Sequence, residues 1–249
     1  MPKLEETTET IDGICGELEI YQARNGYRFG VDSVLLTGFV QPGGKRLVDL
    51  GCGSGVIALI MAHFGRVERA VGVEIQPQLV QRARRSAAHN HLSDRVEILE
   101  GDLKDLTKLL PAGRFDRVLS NPPYRTVRSG NLSQGEERAQ GRHEILCKLE
   151  DVVKTAARLL QHRGLFGVVF PPGRLTELLG LCDAHGLRPS RLRLVHGRPD
   201  MPSKTCLLEA MRAGRMGLKV ESPLILYGPN GQYTPEVQAL LYPNSGPGH

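Results

Sequence analysis

Asn121-Pro122-Pro123-Tyr124 closes the apolar run FDRVLS (115–120) and brings together an amide, a rigid corner and an aromatic ring. A turn of this kind can do chemistry on a flat nitrogen. The lone pair of an aromatic amino or amide group is delocalised, so it attacks carbon poorly. Acceptors placed on its two hydrogens draw the nitrogen towards tetrahedral geometry and localise that pair. The Asn121 side-chain oxygen and the Pro122 carbonyl can supply them, the prolines fix φ, and Tyr124 can stack on the face of a base. The same four residues would also make a plain strand-end turn, because Asn and Pro both favour turns. What lies upstream decides between the two.

Upstream, Asp49-Leu50-Gly51-Cys52-Gly53-Ser54-Gly55 follows a short apolar run and precedes a helical pattern. Glycines at 51, 53 and 55 allow sharp turns and let a ligand approach without meeting a Cβ. A phosphate-cradling loop would end in Gly-Lys-Ser/Thr, and none is here; a dinucleotide loop would carry its third glycine one position later. Glu74 ends the next strand pattern, where a carboxylate can accept from both hydroxyls of a ribose. Gly101-Asp102-Leu103 follows the third. The D-x-G-x-G-x-G pattern resembles motif I of the class I methyltransferases that use S-adenosylmethionine, and N-P-P-Y resembles the motif of those that act on planar nitrogens. The resemblance implies S-adenosyl-L-methionine held by Asp49, Gly51, Gly53, Gly55, Glu74, Asp102 and Leu103 beside Asn121. Asp102 would meet the adenine amino group, and catalysis would fall to Asn121, Pro122, Pro123 and Tyr124.

The segment Gly26-Tyr27-Arg28-Phe29-Gly30-Val31-Asp32-Ser33-Val34-Leu35-Leu36 is similar to the F-x-x-G-x-D-x-x-L-L opening of bacterial tRNA adenine-N6 methyltransferases, which modify the adenosine 3′ of the anticodon in valine tRNA. This likeness spans roughly residues 15–240 and implies that Arg28, Phe29 and Asp32 wall the cofactor. Many members place a second aromatic directly after N-P-P-Y. Here Arg125 stands there and can contact phosphate, as can Arg128, Arg138 and Arg142. N-P-P-Y also serves enzymes of protein glutamine (release factor type) and amino groups of ribosomal RNA, which stay as alternatives. Eight Lys/Arg between Arg188 and Lys219 face only Asp200 and Glu209, which suits either RNA or a solvated face.

The elements that must position these residues alternate. Strand patterns at 14–24, 46–50, 69–75, 95–101, 115–120 and 164–170 are separated by helical ones at 31–40, 55–64, 77–91, 146–161 and 174–184. A strand pair near 191–196 and 204–210 closes the series, and residues 1–13 read as a frayed polar lead-in. Such alternation predicts an α/β fold: a mostly parallel, doubly wound, Rossmann-like sheet with an antiparallel final strand. Ligands bind at the carboxyl ends of such strands, where the marked residues fall. Residues 1–45 are expected to form an extension on the cofactor site and 46–249 the methyltransferase domain. Arg125–Arg142 is a long loop of the sort that covers sites.

The chain has 249 residues, 40% hydrophobic and 24% charged, with a net charge of +5 that suits an anionic partner. Five cysteines without a C-x-x-C pair and histidines without metal spacing predict neither a disulfide framework nor a metal site. The first residues lack a secretory pattern, and no apolar run is long enough to span a membrane. A cytoplasmic enzyme with a tRNA or other structured RNA partner is the expectation; the oligomeric state is not legible.

Overall fold

The computed structural model describes residues 9–25, 28–122 and 148–242. A hairpin, β1 (Glu9–Ile14) and β2 (Leu18–Ala23), leads into α1 (Val31–Phe39). There follow β3 (Arg46–Leu50), α2 (Val56–His63), β4 (Arg69–Glu74), α3 (Pro77–His89) and β5 (Val96–Glu100). A 3-10 turn (Leu103–Lys108) connects to β6 (Phe115–Ser120). The rest comprises α4 (Leu149–Leu159), β7 (Leu160–Phe170), α5 (Leu175–Ala184), β8 (Leu187–His196), β9 (Thr205–Arg212), two-residue strands β10 (Lys219–Val220) and β11 (Leu224–Ile225), and α6 (Pro235–Leu241).

The main sheet runs β10-β8-β9-β7-β6-β3-β4-β5, with β11 also on β8. All neighbours are parallel except β9, which is antiparallel to both β7 and β8. The strands alternate in facing: Leu47 joins the core under α1, α2 and α3, whereas Val48 joins the core under α4 and α5. This period of two buries both faces of the sheet, as expected when helices cover each side. The chain leaves β3 towards β4 and β5, then returns to place β6 on the other side of β3. The crevice at the carboxyl ends of β3 and β6 is therefore the switch point of the sheet.

Three departures from the sequence reading have local causes. Residues 9–13 are not frayed but form β1, because pairing with β2 satisfies their backbone and Glu9 reaches Arg82 and Arg85 on α3. Strand β7 begins at Leu160 rather than 164; polar, exposed Gln161-His162-Arg163 hide it, and a register shift against β6 accommodates them. Helix α6 is not among the expected elements, although Thr234-Pro235-Glu236 carries its signal, a capping threonine before a proline at the first helical position. The expected loop Arg125–Arg142 lies outside the described residues.

Candidate active site

The two marked turns meet at the switch point. Ser120 Oγ donates to Leu50 O at 2.7 Å, which ties the last residue of β6 to the last of β3. Beyond Leu50 the backbone turns through Gly51, Gly53 and Gly55 at φ 69°, 55° and 84°. Such values are costly for any side chain with a Cβ, which is why glycine recurs there. The two outer glycines differ in surroundings. A Cβ on Gly51 would meet nothing within 4 Å, while one on Gly55 would lie 3.2 Å from the Ala83 Cβ of α3. The loop is thus packed at Gly55 and open at Gly51. Cys52 is buried, and burial pushes its thiol well above its usual range, so it packs and does not react.

Glu74 holds the loop from below. Its Oε2 accepts from Gly53 N at 3.0 Å, and its Oε1 accepts from Ile75 N and Gln76 N, each at 3.0 Å. Three backbone donors on one carboxylate leave little of its acceptor capacity for anything else. Asp49 contrasts with it: it is 1% exposed, and among the described residues neither oxygen has a donor in full hydrogen-bond geometry. Burial pushes its carboxyl up to about 8; the Ala58 amide offsets part of this, and the Glu74 charge adds to it. A buried carboxylate left so is an acceptor in want of a donor.

Asp102 caps the 3-10 turn, its Oδ1 accepting from Lys104 N at 2.9 Å, and Leu103 O accepts from Thr155 Oγ1 at 3.1 Å. Asn121 Nδ2 donates to Ser33 Oγ at 3.0 Å. Ser33 is buried in the first turn of α1, and among the described residues Asn121 Oδ1 has no partner. Ser33 carries no signal that spacing alone could reveal; a small polar residue in a mostly apolar helix face is easily passed over. Pro122 is buried beside Asn121, while Pro123, Tyr124, Arg125, Arg128, Arg138 and Arg142 lie outside the described residues.

The wall residues divide. Arg28 commits its guanidinium to the hairpin, donating to Thr10 Oγ1 at 2.9 Å, to Ala23 O at 3.0 Å and to Asp12. Phe29 N donates to Gln22 Oε1 at 2.8 Å. The Phe29 ring and Val31 line a cavity of about 830 Å³ between the hairpin, the end of α3 and Tyr242, with no glycine-loop residue among its walls. Asp32 stands in the first turn of α1, next to Ser33. Among the described residues no group of acidic, His and Cys side chains could hold a metal, and no helix is long and apolar enough to cross a membrane.

The chain is similar to several known proteins. The family model described as methyltransferase small domain matches residues 30–172. A Porphyromonas gingivalis protein named tRNA1(Val) (adenine(37)-N6)-methyltransferase is 32% identical, over 90% of this chain and 91% of its own. A Yersinia enterocolitica protein of the same name is 29% identical, over 88% of this chain and 86% of its own. Among solved structures, one described as a predicted O-methyltransferase from Agrobacterium tumefaciens superposes with a TM-score of 0.67 at 25% identity, covering 84% of this chain and 94% of its own. A geranyl diphosphate methyltransferase in complex with SAM gives 0.53 at 17%, over 72% and 84%, a likeness of fold alone.

Proposed function

The chain belongs to the methyltransferase small-domain family, and from that premise we propose that it transfers a methyl group from S-adenosylmethionine to the N6 amino group of an adenine in tRNA, next to the anticodon. The observation that carries this reading is the placement of Asn121. It stands at the switch point, roped to β3 through Ser120 and to α1 through Ser33, with Oδ1 unengaged among the described residues.

The residues fit the cofactor on two counts. Asp49 is a buried carboxylate with no donor in full hydrogen-bond geometry among the described residues, suited to an ammonium group, and the loop is open over Gly51. Glu74 ends β4, where its carboxylate orders the glycine loop, and Asp102 and Leu103 follow the end of β5. When bound, the cofactor supplies an activated methyl on a sulfonium, which leaves without an external acid. The protein's own part is positioning and electrostatics. Asn121 Oδ1 and the Pro122 carbonyl accept from the amino group and localise its lone pair, and Tyr124 stacks on the base. Residues 46–249 carry the transferase, and residues 1–45 form an extension whose α1 reaches the site through Ser33. A tRNA substrate also puts the enzyme in the cytoplasm.

Nucleoside mass spectrometry of unmodified tRNA after incubation with the protein and S-adenosylmethionine tests this. The expected result is a gain of N6-methyladenosine in valine tRNA. Methylation of a release-factor glutamine, or of ribosomal RNA alone, would overturn the substrate.

A further inference from the structure

The cations of the 188–219 run are not one surface. Three of them are spent inside the fold. Arg188 pairs with Asp183, Arg191 with Glu209 at 3.7 Å and Glu221 at 2.8 Å, and Arg193 with Glu236 at 2.7 Å. Arg191 also lies over the Phe39 ring at 4.5 Å. The others have no ion pair among the described residues, and strand direction sorts four of them. Strand β8 is antiparallel to β9, which is antiparallel to β7, so β8 runs with β7, β6 and β3. Its carboxyl end therefore lies on the same edge of the sheet as Gly51 and Asn121. The β8–β9 connection, 197–204, sits on that catalytic edge and presents Arg198 and Lys204, both exposed. Arg212 is the last residue of β9 and Arg215 follows it, so both lie on the opposite edge.

The connection is held in shape. His196 Nδ1 donates to Met201 O at 2.7 Å, and Met201 N to Arg198 O at 3.1 Å. Ser203 Oγ lies 2.9 Å from Val195 O and 2.8 Å from Thr205 O, and Pro199 and Pro202 fix φ at two further positions. Met201 stands 51% exposed at its tip, and the one acid in it, Asp200, pairs with neither cation. An aromatic surface adjoins it. Tyr227 N donates to Gly197 O at 3.0 Å, and the Tyr227 ring, 36% exposed, stacks on Tyr233 with centroids 5.1 Å apart.

We propose that the 197–204 connection, with Arg198, Lys204 and the adjoining Tyr227, is a docking surface for the tRNA backbone on the same sheet edge as the catalytic turn. The assignment rests on the adenine-in-tRNA reading above. Preset cations on phosphates give affinity without sequence information, and an exposed aromatic ring takes an unstacked base. Cations at the opposite edge cannot touch the same nucleotides as the site.

The test compares Arg198→Ala/Lys204→Ala with Arg212→Ala/Arg215→Ala in the full chain, measuring binding of unmodified valine tRNA across a salt series. S-adenosylmethionine affinity reports that each variant is folded. The catalytic-edge pair should weaken tRNA binding at least about 10-fold and flatten the slope of log affinity against log salt by about 1.5, since each lost phosphate contact removes roughly 0.7–0.9. The far-edge pair should leave both close to wild type. Equal effects from the two pairs, or none from the first, overturn the surface while leaving the substrate intact. Wild-type protein that binds S-adenosylmethionine but no tRNA overturns the substrate reading and the surface together.

Discussion

Ser33 and Asn121 stand 88 residues apart in the chain and 3.0 Å apart in the fold, the serine oxygen accepting one hydrogen of the asparagine amide. In this arrangement the amide nitrogen faces α1, and Oδ1 has no partner among the described residues. With Nδ2 turned to α1, Oδ1 is the atom left for an amino group to meet. Ser33→Ala should therefore lower kcat about 3- to 10-fold, the worth of one neutral hydrogen bond, with little change in the KM for tRNA. Ser33→Thr should restore most of the loss. Steady-state kinetics of the two variants decide it; an unchanged kcat in the alanine variant would remove Ser33 from the site.

Asn121→Ala should be more severe. Losing an acceptor that acts in the transition state costs about 10²-fold or more in turnover, by analogy with the loss of a single oxyanion donor. Cofactor affinity, measured by calorimetry, should stay within a few-fold of wild type. A large loss of cofactor affinity with normal turnover at saturation would reverse the roles assigned here.

Glu74 is expected to behave the opposite way. Its carboxylate accepts from Gly53, Ile75 and Gln76, so Glu74→Gln turns an N–H against at least one of those donors. The variant should lose about 1–3 kcal/mol of stability through the unsatisfied amide groups. It should also bind S-adenosylmethionine at least about 10-fold more weakly, because the loop proposed to receive the cofactor is no longer held. Denaturant titration with calorimetry reads both; a stable variant with full cofactor affinity would refute the role.

Asp49 makes a prediction in pH. In the unfolded chain an aspartate titrates near ~3.9. In the fold, burial pushes Asp49 up to about 8. Between these values the folded state keeps a proton that the unfolded chain has lost, so this group makes stability fall as pH rises. The effect is absent below about pH 4, complete above about pH 8, and at most about 1.4 kcal/mol per pH unit between. Asp49→Asn lacks it and should gain on the wild type in urea melts from pH 5 to pH 8. A difference independent of pH would mean that Asp49 does not titrate there. The variant should also lose cofactor affinity, because an amide cannot give up a proton to become the carboxylate that an ammonium group pairs with.

Much of the site was legible because it is written in local chemistry. Gly51, Gly53 and Gly55 all adopt the left-handed conformation that their residue type permits, and each of the marked turns ends a strand. The alternating apolar runs implied a parallel sheet, and parallel order requires that strand ends gather on one edge. What was not legible involves partners far apart in sequence. Strand β1 exists because β2 and α3 complete it, and a polar hexapeptide alone gives no sign of that. The run 188–219 reads as uniformly basic, yet three of its arginines close ion pairs within the fold.

Residue type and order were enough to specify a sheet of alternating units, a glycine loop, and an amide-proline corner at a strand end, since backbone freedom, periodicity and turn preference are properties of short segments. Which side chain Asn121 meets, how many donors Glu74 already serves, and which cations share an edge with the site depend on the register and direction of strands. Those are settled by packing between distant segments, and no window of sequence contains both sides of such a contact.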